Sequence, residues 1–192
     1  VADRETEQSL RTTLGKLFPT DGFLGEEYGD EPGTSGFRWI IDPIDGTRGF
    51  AKKMGQFSVM IGLLVDGHPV VGVVAEPAQH RTTFAALGGG CWAHTRDAEP
   101  ARCAVSTRGF SALVLVQSWA KTGMSPKPVQ AFGPARVIET YSGGVKLAHV
   151  ARGEADVYAN TYEAFADWGI CAGHLLVTEA GGAVTDLQGA PI

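Results

Sequence analysis

The chain has 192 residues, a net charge of -5, 44% hydrophobic and 19% charged residues. This balance supports a buried core and excludes global disorder, and its mild acidity excludes a nucleic-acid polymer or an anionic membrane as partner, since each needs a basic patch. Cys91, Cys103 and Cys171 are odd in number and form no C-x-x-C pair, so neither a zinc site nor a disulfide framework is expected, and reduced thiols in a cytoplasmic protein are.

Residues 3–18 read as a helix: Leu10, Leu14 and Leu17 recur at helical spacing, Asp3, Glu5 and Glu7 suit its positive end, and Pro19 stops it. A loop follows with Glu26 and Glu27, then the turn-rich stretch 31–36. Phe37 to Ile41 is a short apolar strand that delivers the chain into Asp42. Gln56–Val65 and Pro69–Ala75 form a hairpin about Asp66-Gly67. Thr82–Leu87 and Cys91–His94 form another about Gly88-Gly89-Gly90, a plain turn without the Lys and Ser/Thr of a phosphate loop.

The pattern loosens around 96–111, which places a boundary between an N-terminal half, 1–105, and a C-terminal α/β half, 106–192, working as one unit. Ala112–Val116, Arg136–Glu139, Ala155–Ala159 and Ala183–Asp186 read as strands, and 121–134, with three prolines, as loop. Ser142–Arg152 and Asp167–Ala180 read as helices. No apolar run reaches the ~18 residues of a membrane span. Both ends look cut, so an incomplete domain is expected.

The chemistry concentrates at Asp42-Pro43-Ile44-Asp45-Gly46-Thr47. Pro43 forbids helix at Asp42, and Gly46 permits a sharp turn, so the carboxylates of Asp42 and Asp45 can converge. Converged carboxylates repel at neutral pH unless a proton or cation lies between them. Oxygen ligands without His or Cys favour Mg2+ over zinc. Backbone amides at Gly46 and Thr47 can hold anionic oxygens. A metal cage beside an anion cradle suits a phosphate ester, and Glu26 and Glu27 are the acids of the preceding loop placed to complete the cage. An Asp-Pro or Asp-Gly dipeptide alone is usually an ordinary surface turn. The full hexapeptide after a buried strand is far more specific.

Trp39-Ile40-Ile41-Asp42-Pro43-Ile44-Asp45-Gly46-Thr47 resembles the first signature of the inositol-monophosphatase-like phosphatases. Gly25-Glu26-Glu27 resembles their upstream acidic motif, and Glu179-Ala180-Gly181-Gly182 with its preceding helix their second signature. The resemblance implies an α/β (α+β) fold, a layered α/β/α/β/α sandwich of the inositol-monophosphatase/fructose-1,6-bisphosphatase type. It also implies that an N-terminal helix and a C-terminal strand–helix segment are missing. It implies two or three Mg2+ ions held by Glu26, Asp42, Asp45 and the Ile44 carbonyl, with Asp3 near a weaker third ion. Thr47 with Glu26 would activate water, and Asp45, Gly46 and Thr47 would bind the phosphate. The partner would be a small phosphorylated metabolite, and a homodimer is one assembly the resemblance allows.

Within the superfamily, Asp45 to Phe50 and Ser142-Gly143-Gly144-Val145-Lys146 are similar to 3'(2'),5'-bisphosphate nucleotidases, with Ser142 and Lys146 as substrate ligands. Histidinol-phosphate and inositol monophosphate phosphatases are the alternatives. Lys146 reads equally well as a solvated helix lysine. One departure stands out. The second signature is normally Trp-Asp-x-Ala-Ala-Gly, whereas here it is Trp168-Gly169-Ile170-Cys171-Ala172-Gly173. Asp167 replaces the missing ligand only if its segment is not yet helical, because two residues along a helix turn the side chain by about 200°. Gly169 therefore also motivates a non-catalytic phosphate-binding relative. The five histidines are scattered and read as ordinary polar positions, with His174 the least safe to dismiss. Trp39 and Trp168 read as core, and Ser118 lacks a serine-hydrolase context. Arg48, Lys52 and Lys53 read as a solvated face or as an attraction for an anionic substrate.

Overall fold

The computed structural model describes residues 1–121, 123–160 and 166–192. Helix α1 (Ala2–Leu17) has the acidic first turn expected of it. Its Leu10 and Leu14 pack on Phe23, Trp39 and Ile41. Two strands that the turn-rich sequence does not signal come next, β1 (Gly22–Gly25) and β2 (Gly29–Glu31). β2 reads Gly-Asp-Glu and has no apolar alternation, and β1 is a strand because it pairs in parallel with β3 (Phe37–Asp45).

After the short α2 (Thr47–Ala51), the chain runs as an antiparallel meander. Its strands are β4 (Ser58–Val65), β5 (His68–Glu76), β6 (Arg81–Ala86) and β7 (Gly90–Thr95), as the hairpin signals predict. β8 (Ala98–Arg102) lies in the stretch where the pattern loosens and completes a sheet of order β2-β1-β3-β4-β5-β6-β7-β8. All five of its residues are exposed, so the edge strand carries no apolar face for a sequence reading to detect.

The second half supplies β9 (Val114–Gln117), α3 (Lys127–Phe132), β10 (Arg136–Glu139), α4 (Gly143–Ala151), β11 (Val157–Tyr158) and α5 (Cys171–Glu179). β10, β9 and β11 form a parallel three-stranded sheet. α3 corrects the loop expected over 121–134, of which residue 122 lies outside the described residues. Pro126 is its N-cap and Pro128 sits in its first turn, where the backbone N–H groups lack helical partners in any case. The strand expected at 183–186 is reduced to an isolated bridge between Thr185 and Pro191. The helix expected from Asp167 begins only at Cys171, after a 3-10 turn over Asp167–Gly169.

The pleat of the large sheet separates two cores. Ile61 and Leu63 face α1, while Met60 and Val74 face α4 and α5. Beyond α4, Val114, Val116 and Ala155 build a smaller core with the second sheet. Helix α1, the large sheet, α4 with α5, and the small sheet thus stack as the expected layered α/β sandwich. Gly62 and Gly72 oppose each other on β4 and β5. A Cβ there would come within 2.5 Å of Cys171 Sγ and of Ala172 O respectively, so the pair forms the flat seat for the start of α5. A buried ion pair of Arg152 with Glu76, 2.8 Å long, ties the end of α4 to β5. Among the described residues no helix is long and apolar enough to cross a membrane.

Candidate active site

The acids sit on an irregular stretch of β3. Asp42 faces Met60 and Asp45 faces Ser58, so β3 spends one residue more than β4 between the two pairings. The resulting bulge coincides with Pro43, which has no N–H to give the ladder. β3 therefore runs through the acids instead of ending at Ile41. Gly46 follows at φ 88°, in the left-handed region, where a Cβ would meet Gln56 O at 2.8 Å and Ser142 N at 3.0 Å. Thr47 opens α2, and its hydroxyl donates to the Ile44 carbonyl at 3.2 Å.

Asp45 is turned towards α4. Its Oδ2 accepts from the Gly144 amide at 2.7 Å, from Ser58 Oγ at 3.2 Å and from Ser142 Oγ, and its Oδ1 accepts from the Gly143 amide at 3.1 Å. A carboxylate at a helix N-terminus gains from the partial positive charge there. Oδ1 retains a free lone-pair direction, because each carboxylate oxygen can accept twice.

Asp42 is buried, and its Oδ1 has no hydrogen-bond partner among the described residues. Its carboxyl shares a hydrogen bond with Glu26. Burial first, then the charges of Asp45 and Glu26, pushes Asp42 up to about 9. Glu26 is also raised, by burial and then by Glu27 and Asp3. Glu26 and Asp42, from two separate segments, thus repel each other, with Asp45 adding to the repulsion at both and Asp3 at Glu26.

Glu7, read from sequence only as part of an acidic helix start, holds this arrangement. It is fully buried, takes Arg11 Nε at 2.8 Å, and accepts the amides of Glu27 at 2.8 Å and Tyr28 at 3.3 Å. Its oxygens fix the turn that carries Glu26.

Lys146 lies inside the protein, 2% exposed, and is not the solvated helix lysine that its sequence context equally allowed. Its ammonium donates to Ser118 Oγ at 2.8 Å and stands 5.1 Å from the centre of the Tyr158 ring. Burial pushes it down to about 8, opposed by the charge of Asp45. A cavity of about 290 Å³ is bounded by Asp42, Asp45, Lys146, Tyr158, Trp168 and Gly169. Asp167 is exposed and lies outside that wall, so the structure brings Gly169, not Asp167, to the acids. His174 borders neither this cavity nor the one beside it.

The donors suit a hard cation: they are all oxygen, and one buried carboxylate oxygen is unpaired. Among the described residues no group of three or more His, Cys, Asp or Glu side chains stands close enough to hold a metal ion.

Comparison with known proteins agrees with this geometry. Residues 1–192 match the model of the Inositol monophosphatase family. A histidinol-phosphatase of Mycobacterium tuberculosis is 36% identical over 196 residues, covering 98% of this chain and 74% of that protein. An inositol-1-monophosphatase of Rhizobium meliloti is 35% identical over 195 residues, covering 98% and 71%. Among solved structures, an inositol monophosphatase from Anabaena superposes with a TM-score of 0.86 at 30% identity, covering 100% of this chain and 77% of that one. On these grounds the chain belongs to the inositol monophosphatase family, a family of metal-dependent hydrolases of phosphate monoesters.

Proposed function

We propose that the chain is a Mg2+-dependent phosphomonoesterase whose substrate is a small nucleotide, adenosine 3',5'-bisphosphate, losing its 3'-phosphate. The observation that carries the metal-assisted reading is the buried Asp42 carboxyl, one oxygen unpaired, against Glu26 and beside Asp45. Such a cluster takes up either a proton or a cation at neutral pH. Glu26, Asp42, Asp45 and the Ile44 carbonyl are the residues that would hold two or three Mg2+ ions. Bound there, the metal neutralises the phosphate and acidifies the attacking water.

The chain's own groups do the rest. Thr47 and Glu26 orient the water, and Glu26 accepts its proton. The amides of Gly46 and Thr47 and the Ser142 hydroxyl hold the phosphate. As the oxygen of water bonds to phosphorus, the ester P–O bond breaks with its electron pair on the leaving oxygen, which takes up a proton from solvent to become the alcohol. Lys146, whose buried ammonium borders the cavity, would pair with a second phosphate. The cavity takes walls from Asp42 and Asp45 and from Ser118, Lys146, Tyr158 and Gly169, which supports halves 1–105 and 106–192 acting as one unit. A cytoplasmic setting accords with the free thiols, and a homodimer completes the reading.

The second reading is a histidinol-phosphate or inositol monophosphate phosphatase, favoured by the names of the relatives at 36% and 35% identity. A third, a non-catalytic phosphate binder, rests on Gly169. Colorimetric phosphate release from the three esters, in Mg2+ and in EDTA, tests these readings. Mg2+-dependent release fastest from the bisphosphate is expected. Release fastest from another ester would move the substrate, and no Mg2+-dependent release from any of them would defeat the hydrolase.

A further inference from the structure

Beside the acidic cavity lies a second, of about 450 Å³, bounded by Gly46, Thr47, Arg48, Ser118, Trp119 and Tyr141. Ser118 and Tyr141 belong to both walls, so the two spaces adjoin across the phosphate turn. Trp119 is 44% exposed, an unusual position for the largest apolar side chain, yet it is not loose. Its indole N–H donates to Gln56 Oε1 at 2.7 Å, and Gln56 is itself tied to the Glu139 carbonyl at 3.3 Å. The Trp119 and Tyr141 rings are 6.3 Å apart and inclined by 32°, too close to sandwich a third ring and suited to form one continuous wall.

Two cations, Lys52 and Arg48, border that wall, while the Glu139 carboxylate beside it is held by the Ala120 amide at 3.0 Å. Lys52 donates to the Tyr141 hydroxyl at 2.7 Å and lies 5.0 Å from its ring centre. Arg48 lines the cavity and has no ion-pair partner among the described residues. A wall of pinned rings flanked by cations, one step from a phosphate turn, recognises a flat aromatic group on an anionic ester. Stacking tolerates any base, whereas a ring-free polyol gains nothing from it and a cationic amino alcohol is repelled.

Resting on the phosphatase reading and deepening it, we infer that the Trp119–Tyr141 wall is the subsite that selects for a nucleobase-sized ring. The test compares phosphate release from adenosine 3',5'-bisphosphate and from inositol 1-phosphate by the full chain and by Trp119→Ala and Trp119→Phe. For the bisphosphate, Trp119→Ala is expected to raise KM at least fivefold with kcat little changed, and Trp119→Phe to keep most of the affinity. For inositol 1-phosphate, KM should stay within twofold in every variant. Equal effects on both esters, or none on the nucleotide, would overturn the assignment. Should no ester be turned over at all, calorimetry with adenosine 5'-monophosphate still decides it. Binding that weakens in Trp119→Ala would uphold the wall, and no binding, or binding indifferent to Trp119, would refute it.

Discussion

Replacing Lys146 by Met separates a residue kept for ligand binding from one kept for the fold. The buried ammonium is pushed from 10.5 down to about 8 by desolvation, so the folded protein holds this proton less tightly than the unfolded chain. Below pH ~8 both states are charged and the full cost of burial is borne. Between about 8 and about 10.5 the folded state releases its proton first, and stability rises with pH. Above about 10.5 the cost is gone. At ~1.4 kcal/mol per pH unit that interval is worth ~3 kcal/mol. Met fills a similar volume but forfeits the hydrogen bond to Ser118 and the contact of the ammonium with Tyr158, together ~1–2 kcal/mol. Lys146→Met should therefore be more stable at pH 7 by ~1–2 kcal/mol, or about 3–6 °C in Tm for a chain of this size. Thermal unfolding in EDTA, followed by circular dichroism at pH 7 and pH 10.5, measures it, and the gain should vanish or reverse at the higher pH. Added inorganic phosphate should raise the Tm of the wild type and not of the variant. A variant less stable at pH 7, or a difference that ignores pH, would show that Lys146 is a structural strut.

Gly169→Asp restores a carboxylate to the cavity wall at a backbone position outside the left-handed region. A Tm lowered in EDTA and raised by Mg2+ beyond that of the wild type, with turnover increased at least tenfold, is expected; unchanged Mg2+ dependence would favour the binding reading. Glu7→Gln leaves the half-buried Arg11 with only the exposed Glu31 as a charge partner and turns an amide group towards backbone donors, costing about 3 kcal/mol in urea denaturation. Mg2+ affinity should fall with it, because the turn holding Glu26 loosens; a loss of stability with Mg2+ affinity intact would confine Glu7 to the fold.

The legible parts of this protein were those coded over a few neighbouring residues. Helical spacing in α1, alternation in β4 to β7 and the run from Asp42 to Thr47 each carry their meaning locally. β1, β2 and β8 were not legible, because β1 is a four-residue run framed by glycines and β2 and β8 carry no apolar alternation, so each becomes a strand only by pairing with partners elsewhere. α3 was masked by prolines that a helix accepts at its start and nowhere later.

At the site, the sequence by itself determined that hard-oxygen ligands and an anion-binding turn occur together, since Asp-Pro-x-Asp-Gly-Thr restricts its own backbone. Only tertiary structure decided how those groups are used. It turned Asp45 onto the N-terminus of α4, left one oxygen of Asp42 unpaired, buried Lys146 and set Trp119 beside Tyr141. Burial and the distance between segments remote in sequence set charge and solvation, and neither is encoded in local spacing.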